Sequence, residues 1–315
     1  MTPEDTRRNT CGDKGLERFH GVVPAMATPF TEAGELDEAR VVSLIDWYLA
    51  AGVHGISVAG SQGEFFAMND VERTRLIEIA VQAIDGRVPL YAGTGGVTTR
   101  DAIAATKTAE ALGADLALVI TPYFVQPSQD ELVEHYRAIA RVTRLPLMLY
   151  NNPPRTSVNV LPATLAKCMA EPNIAGIKDS SGDLTQAVEY LLEAPRPSLL
   201  FSGRDTAAFA LMLHGASGTI SPAANVFPAL MIRMYEAFRE GKIEEARKIS
   251  DVFAPLRAAW ALGSFPVVIK EAMALVGHSA GPTRRPVLPL SEAKRASLKA
   301  VVDSIAMKAE RYVSP

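Results

Sequence analysis

The chain has 315 residues, 48% of them hydrophobic and 21% charged, which suits one large α/β barrel with an appendage or two average domains. Its 32 basic and 35 acidic residues leave a formal charge of −3 with no basic tract, which argues against nucleic acid as a partner. Two cysteines, Cys11 and Cys168, are too few for a disulfide framework or a cysteine-rich zinc site, and no apolar run reaches the roughly 18 residues of a membrane span.

The first 17 residues are polar, lack signal-peptide character and read as a loose extension, so a soluble cytoplasmic protein with reduced thiols is expected. Beyond them, short runs rich in Val, Ile and Leu recur at residues 22–28, 55–60, 90–93, 116–121, 145–150, 174–178, 199–202 and 218–221. Such runs are too short for buried helices and read as strands covered on both faces. Between them, segments such as 36–51, 70–84, 99–112, 129–142 and 184–192 carry amphipathic helical spacing. Thr99 is placed to cap a helix, Ser128 and Glu131 have the spacing of a capping box, and Gly52 and Gly113 fall just past helix ends. Eight strands alternating with helices predict an α/β fold, and eight is the number that closes a (β/α)8 TIM barrel; an open doubly wound sheet is the rival. After Ser221 the strand-like runs stop, and 226–240, 243–262, 266–276 and 291–309 read as helices. The expected domains are an N-terminal extension over 1–17, the barrel over 18–240 and a C-terminal helical appendage over 241–315.

In such barrels the chemistry sits at the carboxyl ends of the strands. Lys178 ends the apolar run of the sixth strand. It reads either as an ion-paired strand-end lysine or as a Schiff-base nucleophile. An unperturbed lysine is only roughly one part in a thousand neutral near pH 7. Desolvation in a barrel mouth enlarges that fraction, and a neutral amine can attack a ketone. Tyr150 ends the neighbouring fifth strand, as a packed aromatic or, beside Lys178, as a proton shuttle. Arg155 follows a stiffening Pro153-Pro154 pair and is either a surface charge or a clamp for a carboxylate. The second strand runs into Gly60-Ser61-Gln62-Gly63-Glu64, a tight turn whose backbone N–H groups can also face an anion. The five histidines (His20, His54, His135, His214, His278) are scattered; the single Glu-x-x-His, Glu17 to His20, precedes the first strand. No metal site and no nucleotide phosphate loop is expected.

Together these segments resemble the dihydrodipicolinate synthase/N-acetylneuraminate lyase family of class I aldolases and lyases, from about Gly21 through the barrel and into the C-terminal helices. Residues 60–64 are similar to the family's Gly-[Thr/Ser]-x-Gly-Glu motif, Tyr150-Asn151-x-Pro153 to its Tyr-Asn-x-Pro motif and Gly176-Ile177-Lys178-Asp179 to its Schiff-base lysine motif; Thr121-Pro122-Tyr123-Phe124 falls in register. The resemblance implies an imine between Lys178 and pyruvate or another 2-oxo acid, proton relay by Tyr150 in contact with Ser61, and no cofactor. It implies substrate binding by Gln62 and Gly63 of the strand-two loop, by Arg155, by the backbone of Gly203 and Ile220, and at the position of Phe124. It also implies a homotetramer built as a dimer of dimers. Two positions depart from the synthases: Ser61-Gln62 stands where they carry Thr-Thr, and Phe124 where they place a tyrosine that reaches over from a neighbouring subunit. Ser61 followed by a non-threonine, then Glu64-Phe65, is more similar to aldolases of the 4-hydroxy-2-oxoglutarate or 2-keto-3-deoxy acid type. Arg155 matches the arginine of the synthases, so dihydrodipicolinate synthesis is the alternative. A 2-keto-3-deoxy acid dehydratase on the same lysine and a non-catalytic 2-oxo-acid binder are the others.

Overall fold

The computed structural model describes residues 13–313, so most of the expected 1–17 extension, Cys11 included, lies outside the described residues. Eight strands follow in chain order: β1 (Gly21–Pro24), β2 (Ile56–Val58), β3 (Leu90–Gly93), β4 (Leu116–Ile120), β5 (Leu147–Asn151), β6 (Ile174–Asp179), β7 (Leu199–Ser202) and β8 (Gly218–Ser221). All pair in parallel with their sequence neighbours, β1 pairs with β8, and a bridge from Ala25 to Ser57 joins β1 to β2. The expected (β/α)8 barrel is therefore the fold. Every strand residue is buried, because one face fills the barrel and helices cover the other. Tyr91 on β3 and Phe201 on β7, strands that are not neighbours, meet edge to face at 5.8 Å, which they can do only through the interior.

Local chemistry sets the helix ends. Helix Gln129–Ala140 starts at the expected Ser128–Glu131 capping box, and Asp70–Ile84 starts at a second one, Asn69 with Glu72. Helix Thr99–Leu112 corrects the assignment of Thr99 as its cap: Thr98 is the extended residue, and its hydroxyl accepts from the Asp101 N–H at 3.1 Å. Gly113 takes the left-handed conformation that ends this helix.

The C-terminal region is helical as expected, with one break. The segment read as a single helix over 243–262 divides into Ile243–Val252, Ala254–Ala258 and a 3₁₀ turn, Ala259–Leu262. Pro255 has no N–H with which to continue the ladder. Helices Val267–Leu275 and Glu292–Ala309 complete the region, and their Met273 and Leu298 share one apolar core with Val22, Tyr91 and Phe201 of the barrel.

One irregularity in the sheet sets the site. Leu147 faces Ile174 but Met148 faces Gly176, so β6 carries an extra residue there. Gly176 lies at φ 151°, and a Cβ on it would stand 2.0 Å from the Leu199 carbonyl oxygen. Beyond the bulge the register brings Tyr150 opposite Lys178.

Candidate active site

Lys178 is 4% exposed, and its Nζ lies 4.1 Å from the centroid of the Tyr150 ring. Burial pushes the Lys178 ammonium below the usual lysine range, while the charge and hydrogen bonding of Tyr150 and the charge of Asp205 oppose it. Burial pushes the Tyr150 phenol up, but the Lys178 charge, with help from Ser61, Ser180 and Asn152, outweighs this and leaves it below its ordinary value. Each of the two side chains therefore shifts the other's proton affinity. Asn152 Nδ2 donates to the Tyr150 hydroxyl at 2.9 Å. Below them Asn151 donates to Asp179 at 2.9 Å and Asp179 accepts from the Ser181 hydroxyl at 2.6 Å, which pins the ends of β5 and β6 together.

The loop after β2 faces this pair. Ala59 and Glu64, at its two ends, both adopt left-handed backbone, at φ 53° and 56°. The Thr28 hydroxyl donates to the Gly63 carbonyl at 2.5 Å, and Glu64 pairs with Lys270 at 2.6 Å, both side chains fully buried. So held, the loop presents Ser61 Oγ and both amide atoms of Gln62 as buried polar atoms with no well-aligned partner among the described residues. Buried polar atoms are normally satisfied, and a small polar ligand answers this set. Gly203 closes the far wall, because a Cβ there would stand 1.9 Å from Ser180 Oγ and 3.1 Å from Lys178 Cε.

Lys178, Tyr150, Ser61, Gln62, Arg155 and Gly203 line one cleft of about 500 Å³. Gly63 supports it from behind through its carbonyl. Two further expected positions fall elsewhere. Ile220 is fully buried on β8, opposite Val23, and Phe124 is 97% exposed at φ 73° in the loop after β4; neither is among the lining residues. The cleft also draws in Asn152, Arg204, Arg257, Trp260 and Phe265. Asn152 and Arg204 each stand two residues beyond an expected strand end, Tyr150 and Ser202, so position could have found them. Arg257 and Trp260 arrive from the broken C-terminal helix and Phe265 from the turn after it, and no strand-end rule reaches them. Among the described residues no group of three His, Cys, Asp or Glu side chains could hold a metal ion, and no helix is long and apolar enough to cross a membrane.

Residues 18–305 match the model of the dihydrodipicolinate synthetase family. The chain is 39% identical over 286 residues to a 4-hydroxy-tetrahydrodipicolinate synthase of Thermodesulfovibrio yellowstonii, covering 91% of this chain and 98% of that one. Among solved structures, it is similar to the chloride-inhibited dihydrodipicolinate synthase of Acinetobacter baumannii complexed with pyruvate: 33% identity, TM-score 0.87, 91% of this chain and 98% of that one. A prophage protein of the dihydrodipicolinic acid synthase family from E. coli K12, in complex with pyruvate, is 31% identical with a TM-score of 0.88, over 91% of this chain and 99% of that one.

Proposed function

The chain belongs to the dihydrodipicolinate synthetase family, and from that premise we propose that it is a class I lyase that forms an imine between Lys178 and pyruvate or a related 2-oxo acid and makes or breaks the adjacent carbon–carbon bond. The observation that carries this reading is the buried Lys178–Tyr150 pair, with the ammonium already below its usual range, facing the buried polar side chains of Ser61 and Gln62.

The neutral Lys178 amine attacks the C2 carbonyl carbon, and Tyr150 supplies the proton with which the former carbonyl oxygen leaves as water. The Ser61–Gln62 turn holds the substrate carboxylate. The protonated imine draws electrons from C3, so that C3 loses a proton to the Tyr150 phenolate and gives an enamine; its C3 adds to an aldehyde carbon, and the aldehyde oxygen takes up a proton. Run backwards, the same step cleaves a 4-hydroxy-2-oxo acid. The activity of the T. yellowstonii relative favours a second reading, synthesis of 4-hydroxy-tetrahydrodipicolinate, which starts from the same pyruvate imine. We place the enzyme in the cytoplasm as a homotetramer of tight dimers. The nearly complete exposure of Phe124, an apolar side chain on left-handed backbone, supports a second copy covering it.

Borohydride reduction in the presence of pyruvate, read by intact mass and peptide mapping, tests the proposal. A pyruvyl adduct on Lys178 that is missing in Lys178→Ala is expected. Folded wild-type protein that traps neither pyruvate nor a 2-keto-3-deoxy acid would overturn it.

A further inference from the structure

Resting on the Schiff-base reading above, we infer that Asn152 is a positioning residue for the proton transfers: its side-chain N–H holds the Tyr150 oxygen as a phenolate between giving one proton and taking another. The local sequence frees the side chain for this. Asn152 is the N-cap of the short helix Pro153–Thr156, where an asparagine side chain ordinarily accepts from the N–H two or three residues on. The second residue on is Pro154, which has no N–H. The third is Arg155, whose N–H donates to the Asn152 backbone carbonyl at 2.9 Å; Thr156 donates to the same carbonyl at 3.1 Å. The Asn152 side chain therefore makes no capping bond. It lines the cleft instead, and its Nδ2 donates to the Tyr150 hydroxyl at 2.9 Å.

Both partners are buried, so the bond is formed where water competes little. A donor aimed at the phenol oxygen favours the charged form over the neutral one. Against the upward push of burial it acts in the same direction as the Lys178 charge and the neighbouring Ser61 and Ser180 hydroxyls. An oxygen that accepts from Asn152 also has its own proton left to point elsewhere, and Lys178 Nζ stands over the ring face. When the substrate carbonyl oxygen leaves with the Tyr150 proton, the tyrosine remains a phenolate until it takes the proton of C3. Asn152 gives up no proton in either step and donates to the oxygen throughout. The charged groups around Tyr150 are Lys178 on β6 and Arg155 in the turn after β5, with Arg204 and Arg257 in the same cleft and no acid among the lining residues. Replacing Asn152 by a neutral side chain of similar size thus removes a hydrogen bond and leaves every charge in place.

The test titrates Tyr150 directly, by NMR of the free protein with tyrosine isotopically labelled at Cζ; the Tyr150 signal is the one missing from Tyr150→Phe. Asn152→Leu is expected to raise the titration midpoint by about one pH unit, the scale of one hydrogen bond to a charged group. Asn152→Asp keeps the size, removes a donor and adds a negative charge, so it should raise the midpoint further and serves also where the leucine variant does not fold. In parallel, exchange of the pyruvate methyl protons in heavy water reads loss of the C3 proton. At a pH below the midpoint it should slow about 10-fold in Asn152→Leu, while borohydride trapping of pyruvate, which needs the neutral phenol, persists. A general loosening of the site would lower both and move no midpoint. A midpoint that stays or falls, or methyl exchange unchanged where the midpoint has risen, would overturn the inference. Wild-type protein that neither traps pyruvate nor exchanges its methyl protons would instead defeat the Schiff-base reading, and the phenol titration would still decide whether Asn152 holds the phenolate.

Discussion

A lysine alone at the end of an apolar strand is mostly ammonium; Lys178 differs because burial disfavours its charge while Tyr150 restores part of it. Imine formation needs the neutral amine, so its rate should rise with pH through a midpoint below the ordinary lysine value. Tyr150 holds the Lys178 pKa up. Tyr150→Phe should therefore move that midpoint lower still, while slowing imine formation by about 10²-fold through loss of the proton relay. Stopped-flow trapping across pH separates the two effects, and a Tyr150→Phe profile superimposable on wild type would remove the tyrosine from the mechanism. Lys178, Tyr150 and Ser61 were legible in the sequence because each is a polar residue that ends or follows an apolar run. Arg257 and Trp260 were not, since they belong to a segment whose periodicity says only helix. What brings them over the barrel mouth is a packing outcome of the break at Pro255, which the periodicity did not register.

At the scale of the element, the strands and most helices could be read from periodicity and caps, whereas the bulge in β6 could not. The run 174–178 looks like an ordinary buried strand, and its one irregular sign is a glycine inside it. That glycine carries the register: without the extra residue, Lys178 would move by one position against Tyr150 and turn to the other face. Gly176→Ala puts a Cβ 2.0 Å from the Leu199 carbonyl oxygen at φ 151°, so a backbone shift is forced. Overpacking and backbone strain together should cost at least about 2 kcal/mol in denaturant unfolding. Pyruvate trapping should fall even where the protein remains folded. Unaltered trapping at reduced stability would mean that the bulge serves the fold and not the site.

Across the whole molecule, the C-terminal helices and the catalytic loop meet at one buried ion pair. Glu64 ends the loop that carries Ser61 and Gln62, and Lys270 lies on helix Val267–Leu275; the pair is 2.6 Å apart with the side chains 1% and 2% exposed. Lys270 also donates to the Pro282 carbonyl at 2.8 Å, while Arg284, from the same C-terminal stretch, donates its N–H to Glu64 at 3.0 Å and ion-pairs with Glu72. Removing one member strands the other charge in the core, so Glu64→Gln and Lys270→Met should each cost about 3–5 kcal/mol. The double variant strands neither, and should cost clearly less than the sum. The pH dependence has a definite sign. Burial pushes Lys270 from its ordinary 10.5 down to about 8, with Glu64 opposing. Between those values the unfolded chain holds the proton and the folded one does not, so this group's contribution to stability rises with pH across that window and is constant below it. Lys270→Met should remove that rise from the stability–pH curve. Additive single-variant costs, or an unchanged curve, would show that the loop is held by its backbone alone and that the appendage does not brace the site through this pair.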